Sequence, residues 1–171
     1  MESLDVIFYK YDTDKNTKFH NYTRQYNTLL KDFRDKPIKY LEIGVLNGGS
    51  IKAFREAFKK STCLLGVDID NRCKNYEDIE NNLFIEIGDA TDINFVQSIT
   101  KKYGTFDIIL DDGSHRNIDV ISSFELLFPL LNDDGIYIVE DTVCYKSSSH
   151  IVQNVVLASC DLPIVHVSVA L

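Results

Sequence analysis

Two short acidic runs end apolar stretches of the chain. Asp111-Asp112-Gly113-Ser114-His115 follows Phe106–Leu110, and Glu140-Asp141-Thr142 follows Ile136–Val139, with 28 residues from Asp112 to Glu140. Crowded carboxylates repel one another unless protons or a cation neutralise them. All-oxygen ligands favour Mg²⁺, with Ca²⁺ or Mn²⁺ as substitutes, over zinc. A cation held by Asp112, Glu140 and Asp141 would polarise a hydroxyl oxygen and fix it for attack. His115 is placed to act as general base, because an imidazole exchanges its proton near neutral pH. Asp111 supports the loop, or replaces Asp112 as a ligand. The bland reading makes these acids loop caps with solvated charges and His115 a surface residue. Two acidic tips on neighbouring strands favour the metal.

The elements that would position these residues are short β-branched runs alternating with segments of helical periodicity. Strands are predicted at Tyr40–Val45, Leu64–Ile69, Leu83–Ile87, Phe106–Leu110 and Ile136–Val139. Helices are predicted at Ser50–Lys60, with Ile51, Phe54 and Phe58 on one face, around Tyr76–Asn81, at Asn94–Tyr103, and at Asp119–Leu131 with Val120, Phe124, Leu127 and Phe128 inward. Such alternation implies an α/β fold with a doubly wound, mostly parallel sheet. Sheets of this kind bind ligands at the carboxyl ends of their strands.

The ends of the first three strands are consistent with that rule. The first strand runs into Glu42-Ile43-Gly44, then Gly48-Gly49-Ser50, where glycines permit a tight turn close to a ligand and Ser50 is expected to cap the next helix. This is not the GxGxxG dinucleotide fingerprint, and Glu42 suits a ligand with a cationic head. Asp68, twenty residues beyond Gly48, is placed to accept from a ribose diol. Asp89, after Gly88, is placed to accept an adenine amine, while Asp92 caps the next helix. In series these residues describe a pocket for an adenosine with a charged tail.

The order Glu42-x-Gly44, Gly48-Gly49-Ser50, Asp68, Gly88-Asp89, Asp111-Asp112-Gly113-Ser114-His115 and Glu140-Asp141 resembles the metal-dependent sugar O-methyltransferases of macrolide biosynthesis, of the mycinamicin and demethylmacrocin type, and related rhamnosyl enzymes. Thr13-Asp14-Lys15, His20-Asn21-Tyr22 and Tyr26 resemble the segment that closes over the donor in that family, so Lys15 and Tyr22 join the cofactor-binding set. The resemblance covers about residues 12–145. It implies a Rossmann-like class I methyltransferase core at 38–171 behind an N-terminal lid at 1–37, together one domain. It further implies S-adenosylmethionine as donor, Mg²⁺ or Mn²⁺ as metal, His115 as base, and Asp112, Glu140 and Asp141 as ligands. The acceptor implied is a sugar or glycan hydroxyl, such as that of a deoxysugar or rhamnose.

Composition bounds the alternatives. The 171 residues carry 26 acidic and 18 basic side chains, a net charge of −8 with no basic stripe, which speaks against a nucleic-acid partner. No apolar run is long enough for a bilayer and no secretory leader is legible at the N-terminus, so no membrane partner and a cytoplasmic location are expected. Cys63, Cys73, Cys144 and Cys160 form no CxxC pair and are read as reduced, mostly buried small hydrophobes. Ser147–Ser159 is expected to be one helix, and Pro163–Leu171 one apolar strand with His166 as a packing residue. The C-terminal hairpin that completes such a fold is therefore expected to be incomplete, with a second copy of the chain (a homo-oligomer) or another domain of a larger protein covering that edge. Three competing readings are a nucleotide-dependent oxidoreductase, disfavoured by Glu42 and the missing fingerprint, a catechol-type O-methyltransferase, and a non-catalytic binding module of the same fold.

Overall fold

The five apolar runs pair in parallel, as their unbroken hydrophobicity requires of strands buried on both faces. The computed structural model describes residues 1–144, 152–159 and 162–169, with side chains described through 141. The strands are β1 (Lys39–Ile43), β2 (Cys63–Asp68), β3 (Leu83–Ile87), β4 (Phe106–Asp111) and β5 (Leu131–Cys144). The helices are α1 (Leu4–Phe8), α2 (Tyr22–Leu29), α3 (Gly49–Ala57), α4 (Ile93–Tyr103) and α5 (Asn117–Leu127). Short 3₁₀ turns occupy Asn71–Tyr76, Ile79–Asn81 and Phe128–Leu130, the last at Pro129. The second stands within the weak helix expected around Tyr76–Asn81, and the third ends the stretch expected to be helical to Leu131.

Two further strands, β6 (Val152–Ser159) and β7 (Leu162–Val169), complete a sheet of order β3-β2-β1-β4-β5-β6-β7. The order reverses between β1 and β4, which places the binding crevice there. Register then fixes which residues meet at the carboxyl edge. Ile43 pairs with Asp111, and Asp111 pairs with Val139. One step further, Gly44, Asp112 and Glu140 stand side by side.

The C-terminal expectation needs correction. Val152–Ser159 is a strand, β6, antiparallel to β5, and Leu162–Val169 is a second strand, β7, antiparallel to β6. The Ile-Val spacing of Ile151, Val152, Val155 and Val156 fits a helix face on paper, but β-branched side chains stiffen χ1 and favour the pleat. A hairpin is therefore present where one strand is expected. Residues 147–151 lie outside the described residues.

Two apolar cores flank the sheet. On one face α1, α2 and α3 bury Phe8, Tyr22, Tyr26, Phe54 and Phe58 against Tyr40, Ile108, Leu110 and Ile138. On the other, α4 and α5 cover Ile43, Val67, Ile109, Tyr137 and Val139. The N-terminal segment thus shares a core with the sheet. No described helix is long and apolar enough to cross a membrane.

Candidate active site

Strand alternation decides where each acid goes. Tyr40, Leu110 and Ile138 face the core under α1–α3, so Glu42, Asp112 and Glu140, each two residues further along its chain, share that face. Asp111 follows Ile109 to the opposite face, where Ser123 Oγ and Tyr137 Oη (3.3 Å) donate to its Oδ2, and the Gly113 N–H lies 3.3 Å from its Oδ1. Burial raises the Asp111 carboxyl above its ordinary range, and those donors offset part of the rise.

Glu140 and Asp141 are consecutive and would point apart in a regular strand. The pairing of β5 with β6 shifts between Val139 and Thr142, and Asp141 takes φ +53. This bulge turns both carboxylates toward the same corner. His115 likewise has φ +58. Left-handed backbone at non-glycine residues costs on the order of 1 kcal/mol and persists where surrounding structure imposes it. Its occurrence at both His115 and Asp141 marks this corner as constrained.

There Asp112, His115 and Asp141 present ligand atoms within 4.8 Å of one another. His115 Nε2 lies 3.8 Å from Asp112 Oδ1 and 3.9 Å from Asp141 Oδ2, beside both carboxylates but too far to hydrogen-bond either. Glu140 is not in this close group. Its Oε2 accepts from Lys15 Nζ at 2.6 Å, and the same ammonium donates to Asp112 Oδ2. Tyr22 Oη donates to Asp141 Oδ1. Lys15 and Tyr22, expected at the donor, hydrogen-bond these carboxylates. Each of the three acids has one oxygen bound by the N-terminal segment. The other oxygen is directed at His115 in Asp112 and Asp141, and in Glu140 (1% exposed) it is Oε1, buried without a hydrogen-bond partner.

The electrostatics follow from burial. Glu140 is pushed up to about 7 by loss of solvent, although Lys15 pulls it down. Glu42, fully buried, also reaches about 7 for the same reason, despite Lys15 and a 2.7 Å bond from Tyr40 Oη to its Oε2. Burial lowers the Lys15 ammonium, but Glu140, Asp112 and Glu42 outweigh it, and the group is held well above its ordinary value. Burial and Asp141 both raise Tyr22.

Across the edge of the sheet lies a cavity of about 490 Å³ lined by Gly44, Asp68, Ile69, Asp89, Thr91, Asp111, Ser114 and Arg116, among others. Asp68 and Asp89, expected at a nucleoside, both line this cavity. Asp68 also organises its own turn, with Oδ2 accepting from the N–H groups of Val45 (2.8 Å) and Leu46 (3.0 Å) and Oδ1 from that of Asp70. Burial pushes its carboxyl up, yet these backbone donors hold it below the ordinary value. Asp89 Oδ1 is engaged by Thr91. Arg116 is a cavity residue that the sequence reading missed, although its place directly after the DDGSH run was the available signal.

The glycine run behaves differently from expectation. A Cβ on Gly44 would overlap the Asp112 carbonyl, and one on Gly49 would overlap the Asp12 carbonyl. These glycines admit neighbouring backbone, and Gly48 lies under the Tyr76 ring. Ser50 is buried in the first turn of α3 without capping it; Asn47 Oδ1 receives the Gly49 N–H at 3.0 Å. Asp92 does cap α4, accepting from the Asn94 N–H.

Residues 18–167 match the family model "Rhamnosyl O-methyltransferase/CmcI". The chain belongs to this family. Mycinamicin VI 2''-O-methyltransferase of Micromonospora griseorubida is 35% identical over 81% of this chain and 35% of its own length. The 8-demethyl-8-alpha-L-rhamnosyl tetracenomycin-C 2'-O-methyltransferase of Streptomyces olivaceus is 33% identical over 71% of this chain and 33% of its own. The solved structure of the MycE methyltransferase in complex with Mg, SAH and mycinamycin VI superposes with a TM-score of 0.76 at 32% identity, over 82% of this chain and 37% of that one. The chain spans about a third of the length of these two relatives. This member of the rhamnosyl O-methyltransferase/CmcI family has the Rossmann-like methyltransferase fold.

Proposed function

We propose that this chain carries the methyl-transfer site of a cation-dependent O-methyltransferase, with S-adenosylmethionine as donor and a sugar hydroxyl, such as that of a rhamnose or another deoxysugar, as acceptor. The observation that carries this reading is the meeting of Asp112, Asp141 and His115 beside a cavity with acids at the ends of β2 and β3. The relatives' names supply the acceptor class. The donor set fits a hard cation: carboxylate oxygens spaced for one small ion, and a buried Glu140 Oε1 without a partner. Asp112 and Asp141 would hold the ion, with Glu140 as the third carboxylate. When bound, the donor supplies an activated methyl group, and the cation lowers the cost of ionising the acceptor hydroxyl.

The chain's own residues do the rest. Asp68 and Asp89 orient the nucleoside, and Gly44 and Asp111 line its pocket. His115 receives the hydroxyl proton at Nε2, the atom that faces Asp112 and Asp141. Glu42, buried on the same face as Asp112 and Glu140, acts with them on the Lys15 ammonium.

Donor turnover measured with a panel of glycosides and phenols tests the proposal. Methylation of a sugar hydroxyl, abolished by chelation and restored by Mg²⁺, is the expected result. Methylation of phenols alone would instead assign a catechol-type enzyme. Donor binding with no turnover across the panel would assign a binding module.

A further inference from the structure

Lys15 is the side chain whose place the proposed chemistry leaves unexplained. It is 2% exposed, its ammonium is shared by Asp112 and Glu140, and Glu42 lies close enough to act on its charge. A buried ammonium stripped of water is tolerable only while its partners stay charged and near. The segment that carries it is pinned. The Asp12 carbonyl seats on Gly49, Asp12 Oδ2 accepts from Asn47 Nδ2 at 2.9 Å, and the Lys15 carbonyl accepts the Thr23 N–H at 3.0 Å. The ammonium is therefore delivered to the acids by the fold and is not a side chain that happened to reach them.

We propose that Lys15 is a built-in counter-cation that competes with the divalent ion for Asp112 and Glu140, and so sets how tightly this site holds metal. This inference rests on the proposed cation-dependent function. Three carboxylates converge on the corner, and a divalent ion alone would leave one negative charge over. With Lys15 included, three positive charges face Asp112, Glu140 and Asp141. The ion draws on the same two carboxylates that compensate Lys15, so each cation weakens the hold of the other. The arrangement keeps the acids assembled in the absence of metal. It also keeps metal affinity below what three bare carboxylates would give. Lys15 acts as a positioning residue, since it touches neither the cavity nor His115.

The test is a Mn²⁺ titration without donor, monitored by calorimetry or by loss of the free-ion electron paramagnetic resonance signal, on wild type, Lys15→Met and Lys15→Arg. Lys15→Met is expected to bind Mn²⁺ at least about tenfold more tightly than wild type, the effect of removing one nearby like charge. Its melting temperature falls in chelator and rises further on Mn²⁺ addition than that of wild type. Lys15→Arg, which keeps the charge, remains near wild type on both measures. Equal or weaker Mn²⁺ binding by Lys15→Met, with wild type binding normally, overturns this inference alone. Binding by Lys15→Met but not by wild type upholds it and overturns metal-dependent catalysis. Binding by neither overturns both. A Lys15→Met chain that folds neither in chelator nor in Mn²⁺ also overturns it, because metal then cannot take the place of the ammonium.

Discussion

Asp111 and Asp112 are adjacent, identical in chemistry and both at the end of β4, yet they serve two regions of different design. Asp111 turns toward the cavity and is satisfied by neutral hydroxyls from Ser123 and Tyr137. Asp112 turns toward the N-terminal segment and is satisfied by the Lys15 ammonium. The first region is a cavity walled by strand-end turns and by apolar side chains such as Ile43, Val67 and Val120. The second is a charge cluster that needs cations to exist at all. Their difference shows how one acidic doublet on a strand can support a pocket with one member and a charge cluster with the other, through alternation alone.

If the regions are separate in function, chemistry and donor binding come apart. His115→Asn keeps a residue that tolerates left-handed backbone while removing the base. Turnover is expected to fall about 10²- to 10⁴-fold, with donor affinity by calorimetry unchanged, because His115 does not line the cavity. A parallel loss of donor affinity would merge the two regions into one.

The opposite pattern is expected across the sheet. Asp111→Ala strands the buried Ser123 and Tyr137 hydroxyls, at a cost of about 1–3 kcal/mol, visible as a lower urea midpoint. Donor affinity falls with it, since Asp111 lines the cavity. A variant as stable as wild type, with only turnover reduced, would place Asp111 in the charge cluster after all.

The two regions were also unequally legible from sequence. Apolar runs and strand-end acids located the cavity, because a parallel sheet puts its ligands at strand ends and Asp68 and Asp89 obey that rule. The meeting of Asp112 with Asp141 was legible for the same reason. The contacts of Lys15 and Tyr22 with these acids were not. Both side chains lie more than ninety residues from their partners, and no local periodicity encodes such a contact. The available hint was chemical: crowded acids accept any cation, and a lysine of the chain qualifies as well as a metal. The bulge at Glu140-Asp141 was hidden because it needs a partner strand, β6, in a stretch whose spacing imitates a helix. Gly44 and Gly49 were correctly singled out for close approach, but the approaching group is protein backbone.

The smallest effect expected is in the pH dependence of stability, and it isolates the buried floor of the charge cluster. Glu42 is fully buried, with Oε1 lacking a hydrogen-bond partner, and is pushed up to about 7 by burial. An unfolded glutamate releases its proton near its ordinary value of 4.5. Between those values the folded chain holds a proton that the unfolded chain has lost, so stability falls as pH rises through this window. Glu140 contributes with the same sign over the same range. One such group changes the unfolding free energy by at most about 1.4 kcal/mol per pH unit. Urea unfolding from pH 5 to pH 8 in chelator should therefore show declining stability for wild type and a flatter profile for Glu42→Gln, which removes the titration while keeping the shape. Asp111→Asn, on the cavity side, should leave the slope over that window closer to wild type than Glu42→Gln does, because hydroxyl and backbone donors hold down part of the rise at Asp111. A Glu42→Gln profile as steep as that of wild type would show that its proton is not what couples this corner to pH, and would leave Glu140 to account for the slope.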